Sequence, residues 1–414
     1  MGAMSPTART TDVAALALEY GDRLVLGTVR DVHAAVARRA FGATRIVGSR
    51  VPEAVHDAIA GSVYGSLSAV LRHSGGAARS LAARGVGAPV DGTRLGRQVR
   101  SAVNGLIGDE LRLLGDPQAI TMSLRHAGAD IPATPWKLRQ AYPEATSHLV
   151  VLVHGLCENE ESWGRGRDRP TYADRVAADT DATPVLLRYN TGLHVSENGQ
   201  HLDELLEQLV GAWPVAVERI TLVGHSMGGL VVRAATNRAT VAGHGWTHRV
   251  SDVVCLGTPH AGANLEKAAH LGSRILRIWP QSTPFGAILD SRSAGIVDLR
   301  HGYITADEWE GQDLTARWGL DRIAAAPLAH AEYHFVAATV GATQRHPFSA
   351  VLGDLIVHFS SSAGIGRHGP VVPHARLEYL PSAHHLALLN HPRIADWLVA
   401  WVNARPRRVR QLES

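Results

Sequence analysis

The rhythm of hydrophobic and polar positions changes near residue 145. Before it, apolar residues recur at helical spacing: Ile59, Val63, Leu67 and Val70 share one face, and Val99, Val103, Leu106, Leu111 and Leu114 share another. Pro52 opens the first run, where its missing N–H costs nothing. Glycines at 75–76 and 85–87 separate the helical stretches. The pattern predicts a helical N-terminal unit over residues 1–146 that ends in the proline-containing linker 131–143.

After residue 146, short apolar runs alternate with amphipathic stretches. His148–Val153 (HLVVLV) suits a strand buried on both faces. Further strands are expected at 184–189, 220–224, 250–256, 333–340 and 376–380. Helices are expected around 197–210, from Met227 towards Ala239, and from about His391 to Asn403. This alternation predicts an α/β domain over 147–404, a mostly parallel sheet with helices on both faces. The interval 262–330 breaks the rhythm. Its length and its apolar clusters (Ile275, Leu276, Ile278, Trp279; Phe285, Ile288, Leu289) predict a helical cap inserted in that domain. The basic tail 405–414 is expected to be solvated.

Composition narrows the function classes. With 45% hydrophobic and 19% charged residues the chain reads as folded and globular. Of 41 basic residues only Lys137 and Lys267 are lysines, and the formal net charge is +3. That charge is mild: it tolerates an anionic membrane surface and gives no nucleic-acid footprint. The first eleven residues lack the basic and apolar regions of a secretory signal, and no stretch reaches the ~18 apolar residues that span a bilayer. Cytoplasmic is the default expectation, with peripheral membrane contact left open and oligomeric state unread. Cys157 and Cys255 are too few for a disulfide framework and read as small buried side chains. The 23 histidines lack a tight ligand spacing such as His-Glu-x-x-His, so neither metal nor cofactor is expected.

The chemistry concentrates at Gly224-His225-Ser226-Met227-Gly228-Gly229. A serine flanked by glycines can occupy a strained strand-to-helix turn that projects its hydroxyl above the sheet edge. In a chain with 41 glycines the motif alone is weak. The predicted strand before it and helix after it make Ser226 the candidate nucleophile. Such a serine needs two N–H donors for the oxyanion. Met227 follows the nucleophile directly, and Leu156 lies in His154-Gly155-Leu156 at the end of the first predicted strand.

The runs VLVHGL (151–156), LVGHSMGGLV (222–231) and LGTPHAGA (256–263) resemble the lipase/esterase branch of the α/β-hydrolases. They are most similar to its GPI-inositol-deacylase-like and bacterial triacylglycerol-lipase members. The likeness spans residues 147–404 and leaves out the N-terminal unit. It implies an α/β-hydrolase fold, a serine hydrolase acting on lipid-like or acyl esters, and a triad in chain order Ser, acid, His. His385, followed by an apolar run and His391-Pro392, matches the family's histidine better than His384 does. Asp354 in Gly353-Asp354-Leu355 matches its acid, although Leu355 stands where the family has a second glycine. Asp298 and Asp313, inside the expected cap, read as surface charges. Thioesterase or acyltransferase chemistry would use the same residues. Two other readings stay open: a non-catalytic hydrolase-like scaffold, and a membrane- or partner-binding role for the N-terminal helices.

Overall fold

The computed structural model describes residues 8–20, 69, 73–165, 169–263, 293–310, 326–344, 349, 353–366 and 369–404. The face Ile59, Val63, Leu67 and Val70, most of the cap interval with Trp279 and Phe285, Asp313, and the basic tail lie outside the described residues. The chain divides into two compact units. One holds the described residues up to Arg100 with Asp116–Gln118, including the helix Thr10–Tyr20. The other holds Ser101–Gly115 and the described residues from Ala119 onward.

The second unit is built on an eight-stranded sheet. Its strands are β1 (Ser123–His126), β2 (Ala129–Ile131), β3 (His148–Val153), β4 (Ala182–Arg188), β5 (Arg219–His225), β6 (Val250–Leu256), β7 (Glu332–Ala338) and β10 (Arg376–Leu380). The two-residue strands β8 (Ile365–Gly366) and β9 (Gly369–Pro370) form a separate hairpin. The order across the sheet is β10-β7-β6-β5-β3-β4-β1-β2. From β4 to β10 the neighbours are parallel. Val150, Leu152, Val223, Val254, Leu256 and Val336 carry the strands into one core with Trp163, Tyr172, Leu388 and Leu398 from the helical layer and loops. β3 is central, as its run of fully buried residues Leu149–Val153 requires. From β3 the chain crosses to β4 on one side and then to β5 on the other. The ends of β3 and β5 therefore flank the switch point, where open parallel sheets hold their sites.

The structure moves the expected boundary at residues 146 and 147 towards the N-terminus. β1 and β2 belong to the sheet: β1 pairs antiparallel with β4, opposing Leu124 to Leu187. The stretch read as a linker carries the helix Pro135–Ala141, with Pro135 in its first turn. A buried charge cluster fastens this added edge. Glu160 accepts from Arg125 Nε at 2.9 Å and from Arg188 Nε and Nη2 at 2.8 and 2.6 Å. Burial pushes the Glu160 carboxyl up, but the two guanidiniums outweigh that and hold it below its ordinary value. Two short strands carry too little apolar periodicity to declare themselves.

The apolar face read along Val99, Val103, Leu106, Leu111 and Leu114 is also corrected. The helix Arg94–Leu113 breaks its helical angles at Ile107 (φ −144°) and buries Ser101, Asn104, Gly105, Ile107, Gly108 and Leu111. Close approach, not apolar spacing, selects that face. A Cβ on Gly105 would lie 2.2 Å from Cys157 Sγ, and one on Gly108 would lie 1.9 Å from Asn190 Oδ1. Leu111→Ala, at a fully buried position, is expected to cost about 2–5 kcal/mol of unfolding free energy. Leu114→Ala, at a position 68% exposed, should stay within about 0.5 kcal/mol. Urea unfolding of both variants checks the assignment, and equal losses would return the helix to the sequence-based face.

Candidate active site

Ser226 links β5 to the helix Met227–Ala242 with φ 52° and ψ −121°. A non-glycine residue at positive φ costs about 1–3 kcal/mol and persists only where its surroundings enforce it. The enforcement is visible. The Ser226 N–H donates to Leu256 O at 2.8 Å, continuing the ladder to β6 past the turn. A Cβ on Gly224 would fall 2.4 Å from Gly229 N, and one on Gly228 would fall 2.2 Å from Val153 O. The two glycines thus let the turn close on itself and on the end of β3. Met227 is the first residue of the helix, so its N–H has no partner within the helix.

The loop after β3 approaches from the other side. A Cβ on Gly155 would lie 3.0 Å from Ser226 Cβ and 3.1 Å from His225 Nδ1. His154 sets the loop's course. Its ring stacks on Tyr189 at 4.4 Å, its Nδ1 lies 3.0 Å from Gly155 O, and Tyr189 OH donates to His154 O at 2.7 Å. Burial pushes the His154 imidazole down to about 4, so it is neutral. A hydrogen on Nδ1 then serves Gly155 O and leaves Nε2 to accept from Tyr189 N at 3.4 Å. The next residues form a turn in which Glu158 N donates to Gly155 O at 3.2 Å. Leu156 and Cys157 are its corners, and Cys157 takes φ 60°, as the third residue of a type II turn requires. Cys157 N donates to Thr191 Oγ1 at 3.1 Å, which anchors the loop from the segment after β4.

Asp354 and His385 come together at the same sheet edge. His385 Nδ1 lies 2.7 Å from Asp354 Oδ2, and His385 N donates to Asp354 O at 2.8 Å. The other carboxylate oxygen accepts from Ile356 N at 3.0 Å and Val357 N at 2.8 Å. Burial alone would push the His385 imidazole down. The charge and hydrogen bond of Asp354, helped by the charge of Glu158, outweigh it and leave His385 above the ordinary histidine value. Among the described residues, His385 Nε2 is buried without a hydrogen-bond partner. Its ring is 4.8 Å from that of His225, and a Cβ on Gly257, next to Leu256, would lie 3.1 Å from it. His384, in contrast, is exposed.

Other candidates separate from this group. Burial raises the thiols of Cys157 and Cys255 to about 12, which keeps them protonated and poorly nucleophilic. Asp298 is not a surface charge. It is fully buried and binds Val195 N at 2.7 Å and His194 Nδ1 at 3.0 Å, at the start of the helix Val195–Ala212. His391 caps the last helix, accepting from Arg393 N. Among the described residues no group of three His, Cys, Asp or Glu is placed to hold a metal, and no helix is long and apolar enough to cross a membrane. Sequence reading missed Glu158, Thr191 and Asn190. A carboxylate three residues after the loop glycine, matching the spacing of a turn, was the available signal for the first.

Residues 143–302 match the family described as "Putative serine esterase (DUF676)". No curated protein matches the chain. Among solved structures, the mature lipase BlEst2 of Bacillus licheniformis is 18% identical over 60% of this chain and 91% of its own, with a TM-score of 0.39. The thioesterase RedJ of the prodiginine pathway in Streptomyces coelicolor is 14% identical, covering 63% and 92%, with a TM-score of 0.40. The carboxylesterase CesB of Bacillus subtilis is 12% identical, covering 73% and 98%, with a TM-score of 0.37.

The loop that carries Asp354 has one residue at odds with its backbone. Leu355 sits at φ 86°, where the resembling family has glycine. The left-handed region costs a residue with a Cβ about 1–2 kcal/mol, while glycine adds about 0.5–1 kcal/mol of unfolded-chain entropy. Leu355→Gly is therefore expected to raise stability by up to about 1 kcal/mol, and Leu355→Ala, which keeps the Cβ, should not. Thermal unfolding of both variants checks this. A gain for alanine equal to that for glycine would mean that the side chain, not the backbone, is at fault.

Proposed function

We propose that this chain is a serine hydrolase of the α/β-hydrolase superfamily, in its lipase and esterase branch, and that it cleaves carboxylic esters through Ser226, His385 and Asp354. The observation that carries the reading is the buried His385–Asp354 pair, 2.7 Å apart, at the sheet edge that holds Ser226 at positive φ. His385 Nε2 takes the hydroxyl proton as Ser226 Oγ attacks the ester carbonyl. Asp354 holds the ring with its hydrogen on Nδ1 and stabilises the imidazolium that forms. The tetrahedral oxyanion is met by the N–H groups of Leu156 and Met227. Collapse of this intermediate expels the alcohol, protonated by His385, and leaves an acyl-serine. Water, deprotonated by the same ring, then attacks the acyl-serine and frees the acid. Every proton is handled by residues of this chain, so the reaction calls for no cofactor. The acyl group is proposed to be apolar and lipid-like, a reading supported by the apolar clusters in the sequence interval 262–330.

Ser226→Ala is expected to lower kcat on the order of 10⁶-fold with an unchanged fold. A fluorophosphonate should label the wild type at Ser226 alone, and retained hydrolysis by the alanine variant would dismiss the serine. For wild type, kcat/KM should rise from acetyl to octanoyl esters; a flat series would remove the lipid-like acyl chain from the proposal.

The pH dependence has a defined sign. Catalysis needs neutral His385, and Asp354 raises its pKa. The acid limb of kcat/KM should therefore lie above the ordinary imidazole value near 6.5. Asp354→Asn should lower kcat by about 10⁴-fold and move the limb to lower pH. A profile unmoved by that variant would place the acid elsewhere.

A further inference from the structure

Glu158 belongs to neither the triad nor the oxyanion donors, yet it binds the loop next to Leu156 and the His225 ring that reaches the backbone of His385. Its side chain is 12% exposed, under the site. Oε2 accepts from Gly155 N at 2.7 Å and lies 3.0 Å from His225 Nδ1. The other ring nitrogen of His225 lies 3.3 Å from the carbonyl oxygen of His385. With its main chain, Glu158 also closes the turn 155–158. One carboxylate thus connects the loop that carries Leu156, the residue before Ser226 and, through the imidazole, the backbone of His385. The Trp163 ring meets the His225 ring edge-on at 6.3 Å, and both rings are buried.

We infer that Glu158 is a positioning residue for ester hydrolysis, holding the oxyanion loop at a fixed distance from the nucleophile and the catalytic histidine. Burial pushes its carboxyl up, but His225 and the Gly155 N–H outweigh that and leave it below its ordinary value, consistent with a charged acceptor. Charge strengthens both hydrogen bonds. An amide in its place offers a weaker acceptor and a competing donor aimed at the same partners. The loop then relaxes, and donors displaced by even an ångström lose much of their effect on the transition state. Substrate binding in the ground state is affected far less, because the oxyanion does not yet exist.

The inference rests on the assignment of Ser226 as nucleophile, and its test keeps the two apart. Wild type, Glu158→Gln and Glu158→Asp are assayed on one ester, and each is titrated with a trifluoromethyl ketone. That ketone forms a hemiketal with the nucleophilic serine and places an oxyanion between the two N–H donors. Glu158→Gln is expected to lower kcat by about 10²-fold, leave KM within about twofold, and weaken ketone affinity by the same factor as kcat. Glu158→Asp, which keeps the charge, should recover part of both losses; it also carries the test if the glutamine variant does not fold. Unchanged kcat and ketone affinity would overturn the role. So would a loss seen only in KM or in thermal stability, which is what a merely structural contact produces. If wild type itself neither binds the ketone nor labels at Ser226, the nucleophile assignment fails, and the positioning role falls with it.

Discussion

Everything at this site depends on how closely the ends of β3 and β5 can approach. Parallel strands hold their backbones at a fixed spacing, and the loops that leave them inherit it. Here main chain uses up the spacing at Gly228, which sits against the carbonyl of Val153 with no volume left for a side chain, while Gly155 faces Ser226 with little room to spare. The backbone of Ser226 and of Met227 is therefore placed by the sheet and the helix that leaves it. A turn made by backbone ladders is fixed before the reaction, which is the sense in which that part of the site is preorganised.

Around that contact the ionisable groups divide by their partners more than by their burial. His154 and His385 are both enclosed. The first has a carbonyl and an N–H for partners and is driven neutral; the second has a carboxylate and is driven the other way. Glu158 and Glu160 are two residues apart on one loop, and both are held below the usual carboxylate range, one beside an imidazole and the other between two guanidiniums. Desolvation decides the direction at His154, and a bound ionisable partner reverses it at His385, Glu158 and Glu160.

The inner parallel strands were legible because they are buried on both faces and read as apolar runs, whereas β10, at the edge, carries Arg376 and Glu378. β6 and β10 fall on their expected residues, and β3 does too. The serine turn was legible because strand, glycines and helix occur in one short window. The antiparallel edge was not: β1 and β2 are four and three residues long and are joined to the sheet through arginine and glutamate. Nor was the buried face of the helix Arg94–Leu113, since glycine and asparagine mark a tight approach that a hydrophobic count cannot see. Leu355 was noticed as a departure from a pattern, and its positive φ supplies the physical content of that departure. The Glu158 contacts depend on a fold that joins residues 67 positions apart, and pair spacing along the chain carries no trace of them.

The added antiparallel hairpin also changes what the sheet shows at its margin. Without β1 and β2, the seven-residue strand β4 would end the sheet with its backbone groups open along one side. With them, the outermost strand is β2, only three residues long and bearing Asp130. Long flat borders are templates on which another chain can add a strand, and short charged ones are not. The hairpin before β3 therefore works as a selvedge: it finishes the sheet where unfinished backbone would invite intermolecular growth.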